Sequence, residues 1–445
     1  MNLSQWIHKE SVQTKAVKPN FERIYDVIVV GLGTAGAVSA IAAGQLGLTV
    51  LGIEQQNSMG GTGTNGHVLG YYFGSRGGLF EQLDERAKQL EQGVYMAYGP
   101  NVEAKKLALE QAALEAGVAG CYESVVTGVY TDQGKIMGLR WIGPNGVHEA
   151  GCRVLIDGTG DASIVAMAGC PTRFGRASDR TTHAYSSVVS LIDNGRLKAF
   201  YTDSGYVDHT DAHDLSKELI RSATLPTHLK ETYNGDVRLL KVAPQLGVRE
   251  GRRIVGEQTV TFAQYVDDQE ADKPLFYAYA NLDNHAKDFA LESDLQQDWT
   301  VVSGLWSLKM AVPIPLGALI PRGLDNALVA GRSLAVDHDI AACVRMKRDM
   351  HKCGEIAAKA AYLAIRNHTA IRDISVDELL KLLEPTGCSS SEKQESPWLT
   401  DREAIREGLS SDQPGIAIWS VKRLGRALLA ELKQWCEQRQ DDHLR

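Results

Sequence analysis

The sequence lacks the features that would direct it to a membrane or to export. None of its apolar stretches reaches the length of about eighteen residues that a membrane-spanning helix requires. The opening residues, MNLSQWIHKESVQTK, contain neither the apolar core nor the small-residue cleavage site of a signal peptide. We therefore expect a cytoplasmic protein that does not bind a membrane.

Cysteine is also scarce, and negative charge exceeds positive charge. The seven cysteines stand at irregular spacing without a C-x-x-C motif, which argues against a disulfide framework and against a redox-active disulfide. The 47 lysines and arginines are outnumbered by 55 aspartates and glutamates, which gives a formal net charge of −8. This balance argues against nucleic acid as a partner.

The first informative motif is DVIVVGLGTAGAVSAIAAGQLGLTVLGIE, at residues 26–54. A β-rich run at 25–30 predicts a buried parallel strand, and Gly31, Gly33 and Gly36 follow it in the pattern G-x-G-x-x-G. The first glycine permits a sharp turn, the second leaves space for a pyrophosphate, and the third lets a helix pack close to the strand.

The residues after these glycines complete a dinucleotide-binding unit. A helix predicted at 35–46 begins near Thr34 and Ala35, and the N–H groups of its first turn suit a diphosphate. A second strand at 49–53 ends in Glu54, whose carboxylate can accept hydrogen bonds from ribose hydroxyls. The alternative is a glycine-tight strand–helix turn that binds nothing.

Three further segments favour a permanently held flavin over a mobile nicotinamide. Two are glycine-rich loops at 57–67 and 152–169, which also have simpler interpretations as a surface loop and a plain strand–helix corner. The third is a short strand and turn at 326–332, followed by a long helix predicted at 344–365. Because it is far from the others in the chain, we expect a discontinuous nucleotide domain. The residues predicted to contact the cofactor in these segments are Gly60, Gly61, Thr62, Gly63, Asp157, Gly158, Thr159, Gly160, Gly331 and Arg332.

With these motifs the sequence resembles the FAD-dependent oxidoreductase family with the glutathione-reductase-type two-dinucleotide-binding fold. Within it, the sequence is most similar to the branch of sugar-cluster-associated flavoproteins. The matching stretches include VGLGTAG, IEQQNSMGGTGTNG, DGTGDASIVAMAG and PLGALIPRGLDNALVAGRSLAVDHD. The resemblance implies a tightly bound FAD, with its AMP part at the Gly31 loop and Glu54. It places the flavin near the loop at 60–63 and the segment after residue 330.

The predicted fold is α/β, with a Rossmann-like FAD-binding domain, an inserted α+β substrate domain and a helical C-terminal extension. The predicted boundaries are an arm at 1–20, FAD-binding parts at 21–175 and 326–367, an insert at 176–325 and an extension at 368–445. Apolar residues at helical spacing in the extension predict a helix that packs on the body or forms a homo-oligomer. They are Trp419, Leu424, Leu428, Leu429, Leu432 and Trp435.

The insert is rich in tyrosine, histidine and acidic residues, which indicates a polar small-molecule substrate. Its most charged stretch brings Arg249, Arg252 and Arg253 close together, and their guanidinium groups can bind a carboxylate or hydroxyls. The same arginines can instead form structural ion pairs with Glu250 and Glu257 at a domain hinge. Both interpretations stay open on the sequence alone.

Oxidation of an alcohol by FAD requires a base, and histidine suits this role near neutral pH. His338 is the first candidate, because the resemblance places the segment after Gly331 near the flavin, and His67 is the second. His209 and His213 have the spacing of metal ligands on a helix, but a solvated acidic loop is preferred and no metal site is predicted. The basic stretch VRMKRDMHK indicates a solvated helix face or a charge that supports the flavin.

The preferred function is hydride transfer between a C–OH carbon of a polar small molecule, such as a sugar or sugar acid, and N5 of the flavin. The electron acceptor is unidentified. One alternative is reduction of an activated C=C bond in a carboxylic acid, for which an arginine such as Arg249 is the proton donor. Another is a flavin-stabilised binding module without catalytic activity.

Overall fold

The computed structural model describes most of the chain. The described residues are 1–7, 10–15, 21–68, 70–94, 101–194, 196–223, 237–266, 273–283, 310–389 and 402–412, with the isolated positions 19, 285, 417, 420, 421, 424 and 433. Most of the apolar residues predicted to line a C-terminal helix lie outside this set, namely Trp419, Leu428, Leu429, Leu432 and Trp435.

The β-strands of the described residues are numbered in chain order. They are β1 (Asn2–Ile7), β2 (Glu10–Lys15), β3 (Ile24–Val30), β4 (Val50–Ile53), β5 (Ala119–Cys121), β6 (Val125–Asp132), β7 (Lys135–Gly143), β8 (Gly146–Asp157), β9 (Thr172–Phe174), β10 (Tyr185–Asp193), β11 (Arg196–Gly205), β12 (Val237–Val242), β13 (Arg252–Ile254), β14 (Phe276–Ala280), β15 (Met310–Ile314) and β16 (Ala327–Val329).

The α-helices of the described residues are numbered in the same way. They are α1 (Thr34–Gln45), α2 (Phe80–Val94), α3 (Val102–Glu115), α4 (Ser163–Met167), α5 (Ala212–Ala223), α6 (Phe262–Val266), α7 (His338–Val344), α8 (Lys347–Asn367), α9 (Val376–Leu383) and α10 (Arg402–Gly408).

A nine-stranded sheet forms the centre of the molecule, in the order β2–β1–β6–β7–β8–β3–β4–β5, with β16 beside the end of β8. The strands β8, β3, β4, β5 and β16 pair in parallel, whereas β1, β2, β6 and β7 pair with antiparallel neighbours. Val27, Ile28 and Val29 of β3 are fully buried, as expected for a central parallel strand covered on both faces. The predicted α/β fold class with a Rossmann-like sheet is confirmed.

The register of the parallel strands brings their carboxyl ends together. Val30, the last residue of β3, is paired with Asp157, the last residue of β8, and Asp157 is in turn paired with Val329 of β16. The loops that follow these three strands therefore start side by side, although residue 330 is far from the others in the chain. Ligands of open α/β sheets bind at this edge.

The part of the chain between β9 and β15 forms smaller sheets beside this edge. The strands β11, β10 and β12 form one antiparallel sheet, and β14 pairs with β15. The strand β13 pairs with β9, and Ser186 is bridged to Gly247. These contacts hold the segment around Arg249 against the nucleotide-binding part.

Two local expectations differ from the structure. The helix predicted from residue 344 begins at Lys347, because Val344 ends the separate helix α7 and Met346 between them has extended backbone. His209 lies in the turn before α5, with its Nε2 atom 3.9 Å from Asp161. It therefore does not share a helix face with His213, as paired metal ligands at this spacing would.

Within the described residues, no helix combines the length and the apolar character needed to cross a membrane.

Candidate active site

The turns after β3 and β8 pack against each other through bare backbone. Gly31 has a φ of +81°, which glycine adopts without strain. A Cβ atom added to Gly36 would lie 1.8 Å from the carbonyl oxygen of Gly31, and one added to Gly158 would lie 2.5 Å from the same oxygen. Side chains at these two positions would therefore push α1 and the turns apart.

The N-terminus of α1 faces the cavity side of the turn and is not capped by a side chain of the described residues. Gly33 is its N-cap residue. A Cβ atom at Gly33 would approach only the Cα atom of Gly61, at 3.9 Å. The first N–H groups of α1 are thus left available to an anionic ligand.

A cavity of about 590 Å³ lies where these turns meet the insert. Of the sequence-predicted site residues, it is lined by Gly33, Thr34, Ala35, Gly61, Thr62, Gly158, Thr159, Gly160, Arg249, Gly331 and Arg332. A smaller adjoining pocket is lined by Gly60 and Gly63. The sequence-predicted residues that line neither space are Gly31, Gly36, Glu54, His67, Asp157 and His338.

The wall of the cavity is positively charged. Its described lining residues include Arg249, Arg332, Arg345 and Lys347, against Asp283 as the one carboxylate. Arg345 pairs with Asp283, with 2.8 Å between Nη2 and Oδ2. Burial disfavours the Asp283 carboxylate, but Arg345, His285 and Arg249 together outweigh this effect and lower its pKa. Burial also lowers the pKa of Arg332, which donates a hydrogen bond to the Val248 carbonyl and pairs with no carboxylate of the described residues.

Residues 26–223 and 192–383 match the family model described as FAD dependent oxidoreductase. The chain belongs to the FAD-dependent oxidoreductase family. FAD is therefore its cofactor and the protein is an enzyme, so the alternative of a non-catalytic flavin-stabilised module is set aside.

Two curated proteins are similar to parts of this FAD-dependent oxidoreductase. Digeranylgeranylglycerophospholipid reductase 2 of Methanopyrus kandleri is 27% identical over 173 residues, which are 35% of this chain and 40% of the relative. Thiamine thiazole synthase of Aeropyrum pernix is 30% identical over 158 residues, which are 32% of this chain and 56% of the relative. The matches thus span less than two thirds of either relative.

Solved structures with similarity to the oxidoreductase are distant. A geranylgeranyl bacteriochlorophyll reductase-like protein from Thermoplasma acidophilum is 14% identical, with a TM-score of 0.43, over 93% of this chain and 99% of that chain.

The residues around the cavity fit FAD. The bare backbone at Gly33 and the uncapped start of α1 suit a diphosphate, which carries negative charge and needs close approach to N–H groups. The buried Nε atom of Arg332 has no hydrogen-bond partner among the described residues, so the cavity wall contains a guanidinium group that can still bind an acceptor.

Glu54 and Asp157 already hold the backbone around the cavity. The Glu54 carboxylate accepts hydrogen bonds from the N–H groups of Leu32, at 2.6 Å, and Gln56, at 2.9 Å, and burial raises its pKa. Asp157 is fully buried and accepts from Ile164 N–H at 2.8 Å, which shapes the turn into α4. Each oxygen of Glu54 retains a second lone pair for a ribose hydroxyl.

The sequence left open whether the three clustered arginines bind substrate or form structural ion pairs, and the structure differs from one arginine to the next. Arg252 pairs with Asp161 at 2.5 Å, and the buried Arg253 lies 3.0 Å from Glu250. Both are structural ion pairs. The partner of Arg252 is Asp161 and not the expected Glu257, which instead pairs with Arg372 at 3.3 Å. Arg249 alone faces the cavity, where it donates to the Ala184 carbonyl and to Oγ of Ser186, at 2.6 and 2.7 Å.

His338 lies in a buried cluster behind the cavity wall. Its Nδ1 atom is 2.9 Å from Oε2 of Glu250, and its ring stacks on that of His183 with 4.2 Å between centroids. His183 is also within 2.8 Å of the His338 carbonyl oxygen, and burial lowers the pKa of His183 to about 3. The three side chains have the proximity of metal ligands, but they already bind each other, and the Arg253 guanidinium beside Glu250 disfavours a cation.

His67 is buried beside the insert. Its Nδ1 atom is 3.2 Å from Oγ of Ser190, and Nε2 has no hydrogen-bond partner among the described residues. Burial, with a smaller contribution from Lys241, lowers the pKa of His67 to about 4. At neutral pH the ring is thus neutral, and a pKa this low makes it a weak base. The roles of His67 and His338 as bases stay predictions.

Several charged residues of the cavity were not singled out from the sequence. Arg345 and Lys347 belong to the basic stretch that was interpreted as a solvated face or a flavin-supporting charge, and the structure brings both to the cavity. Asp283 and His285 of the insert line the same cavity, and Asp283 pairs with Arg345. No local pattern separates these residues from other charged residues, since only the fold brings the segments together.

Proposed function

We propose that the protein transfers a hydride between a C–OH carbon of a polar, negatively charged small molecule and FAD. The observation that carries this proposal is the charge of the cavity wall. Arg249, Arg332 and Arg345 come from separate parts of the chain, and Asp283 is the one carboxylate among the described lining residues. A cavity with this excess of guanidinium groups selects an anion by charge and by bidentate hydrogen bonding.

The glycine-rich side of the cavity is the proposed cofactor side. The N–H groups at Gly33, Thr34 and Ala35 hold the diphosphate, and Glu54 accepts the ribose hydroxyls. The remaining proposed contacts come from Gly60, Gly61, Thr62, Gly63, Gly158, Thr159, Gly160, Gly331 and Arg332. FAD, when bound, supplies the acceptor or donor of the hydride.

The opposite side of the cavity is the proposed substrate side. Ser186, Tyr201, Gln245 and His285 line the cavity together with Arg249, and their hydroxyl, amide and imidazole groups suit a ligand with several hydroxyls. A sugar acid combines such hydroxyls with a carboxylate. The same charged wall is poorly suited to the digeranylgeranyl lipid named in the Methanopyrus relative, because burying arginine against an apolar chain is costly.

A second candidate is reduction of an activated C=C bond in an unsaturated carboxylic acid. The position of Arg249 in the cavity favours it, because one guanidinium can bind the carboxylate while another lies near the reacting bond. The protein's arginines would then orient the acid, and Arg249 would donate the proton.

The two candidates differ in the substrate that exchanges electrons with bound FAD. We expect sugar acids and other hydroxy acids to bleach the flavin absorbance of the purified holoenzyme, and neutral polyols of the same size to react far more slowly. Unsaturated acids would instead reoxidise flavin that has been photoreduced under nitrogen. Adding oxygen, a quinone or a nicotinamide to the reduced enzyme and following the return of flavin absorbance identifies the electron acceptor.

Arg249→Met tests the basis of the proposal. Loss of one charge-assisted contact should raise KM for the acid by roughly 10- to 100-fold and leave bound FAD unchanged. Arg366→Met, on the surface of α8, is the control and should change neither. Equal reaction of acids and neutral polyols, or an unchanged KM in Arg249→Met, would contradict an anionic substrate held by this wall.

A further inference from the structure

The cavity has a second, smaller space directly behind its wall. This pocket measures about 40 Å³ and shares Thr34, Tyr71 and Lys347 with the large cavity. Its other described polar walls are Thr64, Asp84, Lys105 and His351. A polar space of this size has room for ordered water and offers the several hydrogen-bonding groups that such water needs.

One carboxylate in the wall of the small pocket is partly exposed. Asp84 on α2 pairs with Lys105 on α3 and accepts a hydrogen bond from the Tyr71 hydroxyl at 2.6 Å. The side chain of Asp84 is 22% exposed, whereas that of Lys105 is 8% exposed. Asp84 is therefore a carboxylate that contacts both bulk water and the pocket.

Lys347 stands between the two spaces. It is the first residue of α8, its Nζ atom donates a hydrogen bond to the Val68 carbonyl, and it lies 4.7 Å from the centre of the Tyr71 ring. Burial, followed by repulsion from Lys105, lowers the pKa of Lys347 to about 7. The charged and titratable groups that face it from the surrounding elements are Tyr71, Asp84, Lys105, Arg348 and His351.

Among the described residues that line the cavity, His285 is the one histidine. His338 and His67 are not among the residues that line the cavity. His285 does line it, but both ring nitrogens are engaged, with Nδ1 3.2 Å from Arg249 and Nε2 3.2 Å from Asp283. Protonating Nδ1 would also place a second positive charge against Arg249.

We propose that Lys347 carries the proton of the reaction and that the small pocket exchanges this proton with solvent through Asp84. The proposal rests on the proposed function, which requires one proton to move for each hydride. It gives the cavity a route for protons that is separate from the opening used by the substrate.

The proton and the electrons balance as follows. In the oxidative direction the substrate hydroxyl gives its proton to the neutral amine of Lys347, and the carbon gives a hydride, with two electrons, to bound FAD. The O–H and C–H bonds break and the C–O bond becomes C=O. The resulting ammonium group of Lys347 then passes one proton through the small pocket to Asp84 and to water. The reductive direction reverses each transfer.

The midpoint potential of bound FAD as a function of pH tests this assignment without any substrate. If Lys347 titrates beside the flavin, the slope of the potential against pH changes near neutral pH in the wild-type holoenzyme. Lys347→Met and Lys347→Arg should both remove this change. Methionine carries no charge, and arginine stays positively charged throughout this pH range. Lys106 is the residue after Lys105 on α3, and the Lys106→Met control should retain the slope change.

Asp84→Asn tests the pocket. We expect this variant to move the pH of the slope change and to slow proton uptake, followed with a pH dye after rapid photoreduction, by at least tenfold. Retention of FAD and of the far-UV spectrum shows that each variant is folded. A slope change that persists unaltered in Lys347→Met would overturn the proposal.

Failure of the proposed function has a different signature. If hydroxy acids do not reduce the enzyme but the slope change depends on Lys347, the proton site stands and only the substrate is wrong. If hydroxy acids reduce the enzyme with the same pH profile of kcat/KM in wild type and Lys347→Arg, the substrate stands and Lys347 is not the proton carrier.

Discussion

At the scale of single residues, the glycines around α1 have two distinct tasks. A Cβ atom on Gly36 would collide with the Gly31 carbonyl at 1.8 Å, so this glycine permits packing within the protein. A Cβ atom on Gly33 would have no neighbour closer than 3.9 Å and would point into space that lies at the cavity. Only the second position is reserved for something other than the chain itself.

This difference predicts opposite effects of two similar substitutions. Gly36→Ala should lower the free energy of unfolding by about 1–3 kcal/mol, because the turn must move to admit the methyl group. Gly33→Ala should change that free energy by less than about 0.5 kcal/mol and weaken FAD binding by roughly tenfold or more. Urea unfolding of the apoprotein and titration with FAD measure the two quantities separately. A Gly33→Ala protein with normal FAD affinity would contradict the placement of the diphosphate.

At the scale of elements, α1 and α8 pack closely against each other beside the cavity. Oγ of Ser39 on α1 donates to the carbonyl oxygens of Ala35 and of Gly354 on α8, at 3.1 and 2.9 Å. A Cβ atom on Gly354 would lie 2.1 Å from the Ala35 carbonyl. Because Ala35 belongs to the first turn of α1, the position of α8 also determines the position of the proposed diphosphate site.

Gly354→Ala should therefore reduce both stability and cofactor binding. The added methyl group separates the two helices, at a cost of about 1–3 kcal/mol, and displaces the start of α1. Gly169→Ala is the matched control, since it strains a backbone with φ of +93° but has no atom within 4 Å of the new Cβ. We expect similar losses in thermal midpoint for both variants and loss of FAD affinity in Gly354→Ala alone. Equal FAD affinity in the two would show that α8 does not position α1.

At the scale of the whole molecule, one buried carboxylate joins three separated segments. Glu250 accepts from the His183 backbone N–H at 3.0 Å, lies 2.9 Å from Nδ1 of His338, and is paired with Arg253. Arg253 donates to the carbonyl of Val336. The insert is thereby fixed to the segment that returns to the nucleotide-binding sheet.

Glu250→Gln should be strongly destabilising for this reason. Removing the negative charge leaves Arg253 buried without its partner, which costs about 3–5 kcal/mol. Glu257→Gln is the control, because its pair with Arg372 is partly exposed and worth less than about 1 kcal/mol. Urea unfolding midpoints of the two variants compare the effects directly. Similar midpoints would show that the cluster does not hold the insert in place.

Much of the cofactor side could be predicted from the sequence because its signals are local. The strand, the three spaced glycines and the helix at 26–46 follow one another, and the structure places β3 and α1 within a residue of their predicted bounds. The substrate side has no such signal. In the sequence, Arg249 was one of three equivalent arginines. Only the fold places Arg249 at the cavity and pairs Arg252 and Arg253 with carboxylates.

The sequence by itself determined the family, the α/β fold and the cofactor, because backbone geometry near a diphosphate restricts which residues can occupy consecutive positions. The tertiary structure decided which charges face the substrate, why His338 lies behind the wall, and that Lys347 joins two cavities. These outcomes depend on contacts between residues that are hundreds of positions apart, such as Val68 and Lys347. Such contacts arise from strand register and helix packing, and no local sequence motif identifies the two residues that meet.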